Sequence, residues 1–358
     1  MGGFLSRATR RGTLAQVRHV TPVHPAAATG LTAAVYRQTE DDFGMLAPPI
    51  SLHSPAPEVM AAAWMILRES LLSSGVASRA VKETVATAVS AANRCPYCVD
   101  VHGTALRGLV RGRDPVDIGA GRGASARDPE LRAAAAWAAA AATSGGAVRS
   151  RPPGTAGYGD ELVAVAAVFH YLNRMVSVFL DESPIPPRVP AALRGGLQQV
   201  FGRVMAPITR RHVRPGAALE LLPAAPGDGR VAAVFAASTP RLADAFARAG
   251  RAVEEAGKRS VPPAVRTLVL DRLAAWDGTP PGLSSAWTDA DVARLDPRDR
   301  PAGRLALLTA IAAYQVGPGV IERFRQEQPE DRPLVELTAW AALAAARRVA
   351  AWSSSTTT

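Results

Sequence analysis

The sequence predicts an all-α protein, and two observations carry that expectation. Ala-rich segments with apolar residues at helical spacing dominate the 358 residues, and aromatic residues make up only 5%. The length allows two domains of ordinary size, each able to bury a core.

Residues 1–55 are Pro- and Arg-rich with little sustained periodicity, and read as an arm that packs over the surface and serves subunit contacts. From Glu58 to Ser73, Met60, Trp64, Leu67 and Leu71 recur at helical spacing with charged Arg68 and Glu69 between them, the pattern of an amphipathic helix. Ala77 to Ala92 forms a second helix. Pro96 lacks an N–H and suits a first helical turn, so one helix ends near Asn93 and the next begins around Cys95 and runs through Leu109. A Gly/Arg/Asp-rich loop over 112–127 leads to Asp128-Pro129, which starts an Ala-rich helix carrying Trp137 and stopping at Ser144-Gly145-Gly146. After a Pro/Gly loop comes a helix from Asp160 to about Leu180 containing His170, Asn173 and Arg174. The Pro-rich stretch from Asp181 to Pro190 is the clearest linker in the chain.

Helical segments at Pro240–Glu255, from Pro263, at Arg300–Gln315 and at Leu334–Trp352 repeat the order and spacing of the first half. In that alignment Thr279-Pro280-Pro281-Gly282 answers Cys95-Pro96-Tyr97-Cys98, with Thr267 in the place of Glu83 and Ala286 in that of His102. The second copy would then hold the scaffold and none of the chemistry. The expected divisions are an arm (1–55), a first helical domain (56–182), a linker and connecting segment (183–238), a second domain (239–352) and a disordered tail (353–358).

The net charge of +10 invites a nucleic-acid reading, but Lys82 and Lys258 are the only lysines. The arginines accompany the Ala and Pro excess, lie scattered, and form no basic helix with interleaved aromatics. No apolar core of signal-peptide length follows the N-terminus, and Met1-Gly2…Ser6 fits only a short myristoylation pattern that arises readily by chance. The longest apolar run, near Ala133–Ala142, is too short and Ala-rich to cross a bilayer. A soluble, cytoplasmic protein without nucleic-acid or membrane partners is expected. In a reducing compartment a Cys-x-x-Cys pair is more often catalytic or metal-binding than structural.

The chemistry-bearing residues are concentrated between Glu83 and His102. Cys95 and Cys98, the only cysteines, stand three apart; His102 follows Cys98 by four, and Glu83 precedes Cys95 by twelve. A thiol at a helix N-terminus meets unpaired N–H groups and the positive end of the dipole, which favour thiolate and lower its pKa. Cys98 and His102 share a helical face, so the imidazole can take the sulfur's proton, while Glu83 sets its tautomer or relays the proton. The competing reading is a pair of small buried cysteines. A zinc site would need a fourth ligand besides Cys95, Cys98 and His102, and no cofactor is expected. A haem-attachment motif would place histidine directly after Cys98, where Val99 stands. His170, Asn173 and Arg174 are expected to fix helix packing or a subunit contact, and Trp64, Trp137, Trp276, Trp287 and Trp340 to be core or interface residues.

The arrangement Glu83-x11-Cys95-x2-Cys98-x3-His102 resembles the active-site signature of the AhpD-like alkylhydroperoxidases of the carboxymuconolactone decarboxylase superfamily. Ala-Asn-Arg-Cys-Pro-Tyr-Cys, the following His-Gly, and Asn173-Arg174 are similar to its peroxidase-related branch. The resemblance covers roughly residues 55–180, and the second half only through helix order. It implies an all-helical fold and assembly as a trimer or dimer of trimers; the duplication, with a second copy lacking the motif, is where this sequence departs from the best-studied members. It also implies that Cys98 is peroxidatic, Cys95 resolving, His102 the base and Glu83 the proton relay. Tyr97, where well-studied members have histidine, would line the peroxide entrance or simply pack. The expected activity is a thiol-dependent peroxidase without a bound cofactor, served by a dithiol reductant such as a thioredoxin-like or lipoyl protein. A lactone decarboxylase and a non-catalytic redox-sensing scaffold are the other expectations.

Overall fold

Prolines and short polar caps set where the helices begin. The computed structural model describes residues 12–149, 152–184, 189, 193, 195–196, 202–203, 206–225 and 238–354. Pro57, Pro96, Pro129, Pro240, Pro263 and Pro318 each sit in the first turn of a helix, where their missing N–H would have had no partner. Ser78 caps its helix by accepting from the Val81 N–H, and Asp128 from those of Glu130 and Leu131. Among the described residues every regular element is helical; the one extended pairing is an isolated bridge between Val17 and Leu180.

The N-terminal segment departs from the irregular arm expected of it. Helix α1 (Gly30–Phe43) buries Thr32, Val35, Tyr36 and Thr39 on one face, against α2 (Pro57–Leu67). Two of those four residues are threonines, so an apolar pattern did not register. Trp64 of α2 donates its indole N–H to Gln38 of α1 over 2.8 Å, tying the pair together.

Helix α2 runs into a π turn, Arg68–Leu72, and every residue from Val59 to Leu72 is buried. It is not the amphipathic helix the sequence suggested, because Arg68 and Glu69 are paired inside. Arg68 lies 2.7 Å from Asp42 and 2.8 Å from Glu69, and Glu69 also meets Arg241 at 2.8 Å. Burial alone would raise the Glu69 pKa, but the N–H groups of Gly216 and Ala218 and the two guanidinium groups outweigh it and hold the carboxyl below its ordinary range.

The first half is then completed by α3 (Arg79–Ala92), α4 (Pro96–Leu109), α5 (Pro129–Ala140) and α6 (Ala156–Phe179). Helix α3 is central and packs against α4, α5 and α6. In α6, Gly157–Phe179 is long and apolar enough to cross a membrane, but 94% of its most apolar window is buried in the fold, as befits a core helix.

The second half contains α7 (Pro240–Ser260), α8 (Pro263–Ala275), α9 (Arg300–Ala312), α10 (Pro318–Glu327) and α11 (Asp331–Ser354). Helix α11 lies along α6 and α7 along α2, so one apolar core runs through both halves. Thr279-Pro280-Pro281-Gly282 opens no helix, contrary to its alignment with Cys95-Pro96-Tyr97-Cys98; Gly282 instead accepts bonds from Tyr314 and Gln315. The helix, short turn and proline-started helix of α3–α4 are matched by α9–α10, with α9 packed on α11 as α3 is on α6. Of the linker and connecting segment expected at 183–238, the stretches 185–188 and 226–237 and several positions between 190 and 205 lie outside the described residues. Helix α11 reaches Ser354, so only 355–358 of the expected tail lie outside them.

Candidate active site

The site is made where α3 turns into α4. The N–H of Arg94 bonds to the Ala91 carbonyl and that of Cys95 to the Ser90 carbonyl, the paired closure of a helix end that requires a left-handed residue between them. That residue is Arg94, with φ 55°, where glycine is usual. Pro96 then opens α4 at once, leaving Cys95 at its N-cap and Cys98 in its first turn.

Both sulfurs are buried, both thiols are free, and the Sγ atoms lie 2.7 Å apart. Glu83 projects from α3 and is 1% exposed. One of its oxygens receives Nε and Nη2 of Arg79, at 2.8 and 2.7 Å, and the other meets Nδ1 of His102 at 2.7 Å. Burial alone would raise the Glu83 pKa, but Arg79 and His102 outweigh it and hold the carboxyl below its ordinary range. An ionised carboxylate only accepts hydrogen bonds, so Nδ1 carries a proton, and in the neutral ring the lone pair is then on Nε2. The ring of Phe169 packs edge-on to the imidazole, with centroids 4.5 Å apart. The four residues singled out from sequence are thus brought together in two contacting pairs. Among the described residues no hydrogen bond joins His102 to either sulfur.

The thiol of Cys98 departs from its expected ionisation. Burial and the neighbouring Cys95 push its pKa well above the ordinary value, and only a hydrogen bond from Asn173 opposes them. A helix N-terminus contributes roughly 0.3–1 kcal/mol, and full desolvation of an anion outweighs that. Cys98 therefore rests as a neutral thiol, and a base is needed to release the nucleophile. His102, one turn along the same helix with Nδ1 held by Glu83, is the base in reach, through Nε2 of its neutral form.

Sequence reasoning passed over Arg79, although its position four residues before Glu83 is the spacing of a helical ion pair. It also passed over a polar relay behind the cysteines. Ser90 donates to the Ala86 carbonyl and accepts from Nδ2 of Asn173, whose Oδ1 accepts from Asn93. Tyr97 is buried and donates to Gln16 over 2.9 Å, so it packs. His170 and Arg174 are buried on α6, with Arg174 bonded to the carbonyls of His170 and Ala310. No group of three or more His, Cys, Asp or Glu side chains able to hold a metal occurs among the described residues.

Comparison with known proteins bears on the family of the chain. The model of the carboxymuconolactone decarboxylase family matches residues 57–140, which span α2 to α5 and include all four site residues. An alkyl hydroperoxide reductase of Mycobacterium tuberculosis is 36% identical over 342 residues, covering 94% of each chain, so the likeness extends through the second half. On the motif, the helical architecture and these two matches, the chain belongs to the AhpD-like, carboxymuconolactone decarboxylase superfamily.

Proposed function

We propose that the protein is a thiol-dependent peroxidase that reduces organic or hydrogen peroxides through a dithiol–disulfide cycle of Cys98 and Cys95. The observation that carries this reading is the pair of free thiols 2.7 Å apart beside an imidazole anchored by an ionised glutamate. His102 Nε2 takes the Cys98 proton, and the thiolate attacks the peroxide so that the O–O bond breaks. The departing alkoxide takes a proton to leave as alcohol, and Cys98 becomes a sulfenic acid. The Cys95 sulfur attacks that sulfenic acid, water leaves, and a disulfide forms. An external dithiol, for which a thioredoxin-like or lipoyl protein is proposed, returns the pair to its reduced state by exchange.

The reading extends to the whole assembly. Residues 239–352 are taken as a copy of 56–182 that has lost the motif, with α9–α10 answering α3–α4, and the cytoplasm as its compartment. One chain then fills two places in a homo-oligomer, and light scattering should give a mass above the 37.4 kDa of a single chain. A strict monomer would contradict this part of the proposal.

The deep burial of both sulfurs favours one competing reading, a scaffold whose disulfide only reports oxidation. Turnover separates the two. The purified chain should consume many equivalents of cumene hydroperoxide with dithiothreitol present, and Cys98→Ser should abolish this. Oxidation that stops after one equivalent would identify a sensor, and undiminished turnover in Cys98→Ser would remove Cys98 as nucleophile.

A further inference from the structure

Behind the cysteines, where the two halves meet, lies a cleft with about 60 Å³ of internal space. The first half contributes Asn93, Arg94, His170 and Arg174, and the second contributes Trp276 and Tyr314. Its chemistry is one-sided. Arg174 is 6% exposed and uses Nε and Nη1 on two backbone carbonyls. Its guanidinium lies over the Trp276 ring, 5.7 Å from the centroid, and no carboxylate pairs with it among the described residues. Arg94 lies over the Tyr314 ring at 5.6 Å, likewise without a carboxylate. A buried, unpaired cation is costly, and an anion beside it offsets that cost.

A second observation is independent of the arginines. His170 is 2% exposed, and its Nε2 has no hydrogen-bond partner. The relay assigns that atom's proton. Because the Ser90 hydroxyl is spent on Ala86, Asn173 must turn its amide nitrogen to Ser90 and its oxygen to Asn93. Asn93 therefore offers nitrogen to His170 Nδ1, at 3.1 Å, making Nδ1 an acceptor and leaving the hydrogen on Nε2. Burial holds this imidazole neutral, with its pKa lowered to about 3. The cleft thus contains a buried N–H donor with nothing to donate to, beside two cations without counter-charges.

We infer that this cleft is a binding site for a small organic carboxylate, with its oxygens on His170 Nε2–H and the arginine side and its apolar tail against Trp276 and Ile311. The site is complete only with the second half in place, which gives that half a role although it lacks the motif. It also lies one hydrogen-bond step from the thiols, since Asn173 bonds both to Asn93 in the cleft wall and to Cys98. A carboxylate-bearing substrate or effector bound there would be felt at the nucleophile through that amide.

The test is calorimetric titration of the full chain with sodium butyrate, butyramide and inorganic phosphate at fixed ionic strength, without peroxide or reductant. Failure of the peroxidase reading therefore leaves the result intact. Charge-assisted hydrogen bonds contribute about 1.5–3 kcal/mol each, so butyrate should saturate and bind at least about tenfold more tightly than butyramide. Arg94 is exposed at the cleft mouth, so Arg94→Gln should fold normally yet weaken butyrate about threefold or more. His170→Leu should weaken it about tenfold with an unchanged circular dichroism spectrum. The inference is overturned if butyrate fails to saturate, if butyramide binds equally well, if phosphate binds and butyrate does not, or if Arg94→Gln leaves butyrate affinity unchanged.

Discussion

Glu83 decides the electrostatics of the thiol site, because it fixes both the charge of the Arg79 contact and the tautomer of His102. Its carboxyl is held below the ordinary value of 4.5, so it contributes stability that is fully present above that pH. That contribution is lost as pH falls through the lower, folded value. Glu83→Gln should flatten the acid limb of a stability-versus-pH curve below about pH 4.5 and lower stability at pH 7 by roughly 1–3 kcal/mol, as read by denaturant unfolding. At the other end, Cys98 has a folded pKa above its ordinary 9.0. Its contribution is present below that value and declines as pH rises past it, so Cys98→Ala should flatten the alkaline limb. In the peroxidase assay, His102→Ala should lower kcat/KM by roughly 10²-fold. The grouping of these four residues was legible in sequence because three lie on or at the start of one helix and the fourth stands at motif spacing. The sign of the Cys98 shift was not, since spacing reports the helix terminus but not the depth at which it is buried.

Helix starts were the most legible elements, since a first-turn proline acts through local geometry alone. Pro96, Pro129, Pro240 and Pro263 all mark them. Helix ends and crossings depend on neighbours. Arg94 adopts its left-handed conformation only because the α3–α4 turn demands it, and Arg94→Gly should raise stability by about 1 kcal/mol in urea unfolding while weakening carboxylate binding. Gly257 shows the converse. It faces the Trp340 ring where α7 crosses α11, and an added Cβ would collide with the indole. Alanine is favoured over glycine in a helix by about 1 kcal/mol, yet Gly257→Ala should destabilise by roughly 1–3 kcal/mol because the crossing cannot open. Thermal melts of the two variants should shift in opposite directions. Nothing in the sequence around Gly257 marks it as a contact, since Trp340 is far along the chain.

At the scale of the molecule, the sequence carried the order of the helices but not how they pack. Segments of similar length and Ala content are interchangeable by periodicity. Only packing shows that α9 lies on α11 and that α3 lies on α6. The same packing argues that the halves do not stand alone. Helix α6 is buried on nearly all sides, α11 covers one of its faces, and Arg174 finds a hydrogen-bond acceptor at Ala310 across the seam. A chain stopped at Asp181 would lack α7 and α11 and expose the covered faces of α2 and α6. Apolar patches beyond a few hundred Å² drive association, and Arg174 would lose a buried partner. The truncated chain should therefore be recovered as aggregate or as a self-associated species, without the single cooperative urea transition of the full chain. Size-exclusion chromatography with light scattering and a urea melt would decide. A monomeric fragment that unfolds cooperatively would show the first half to be an independent domain, with the second merely docked on it.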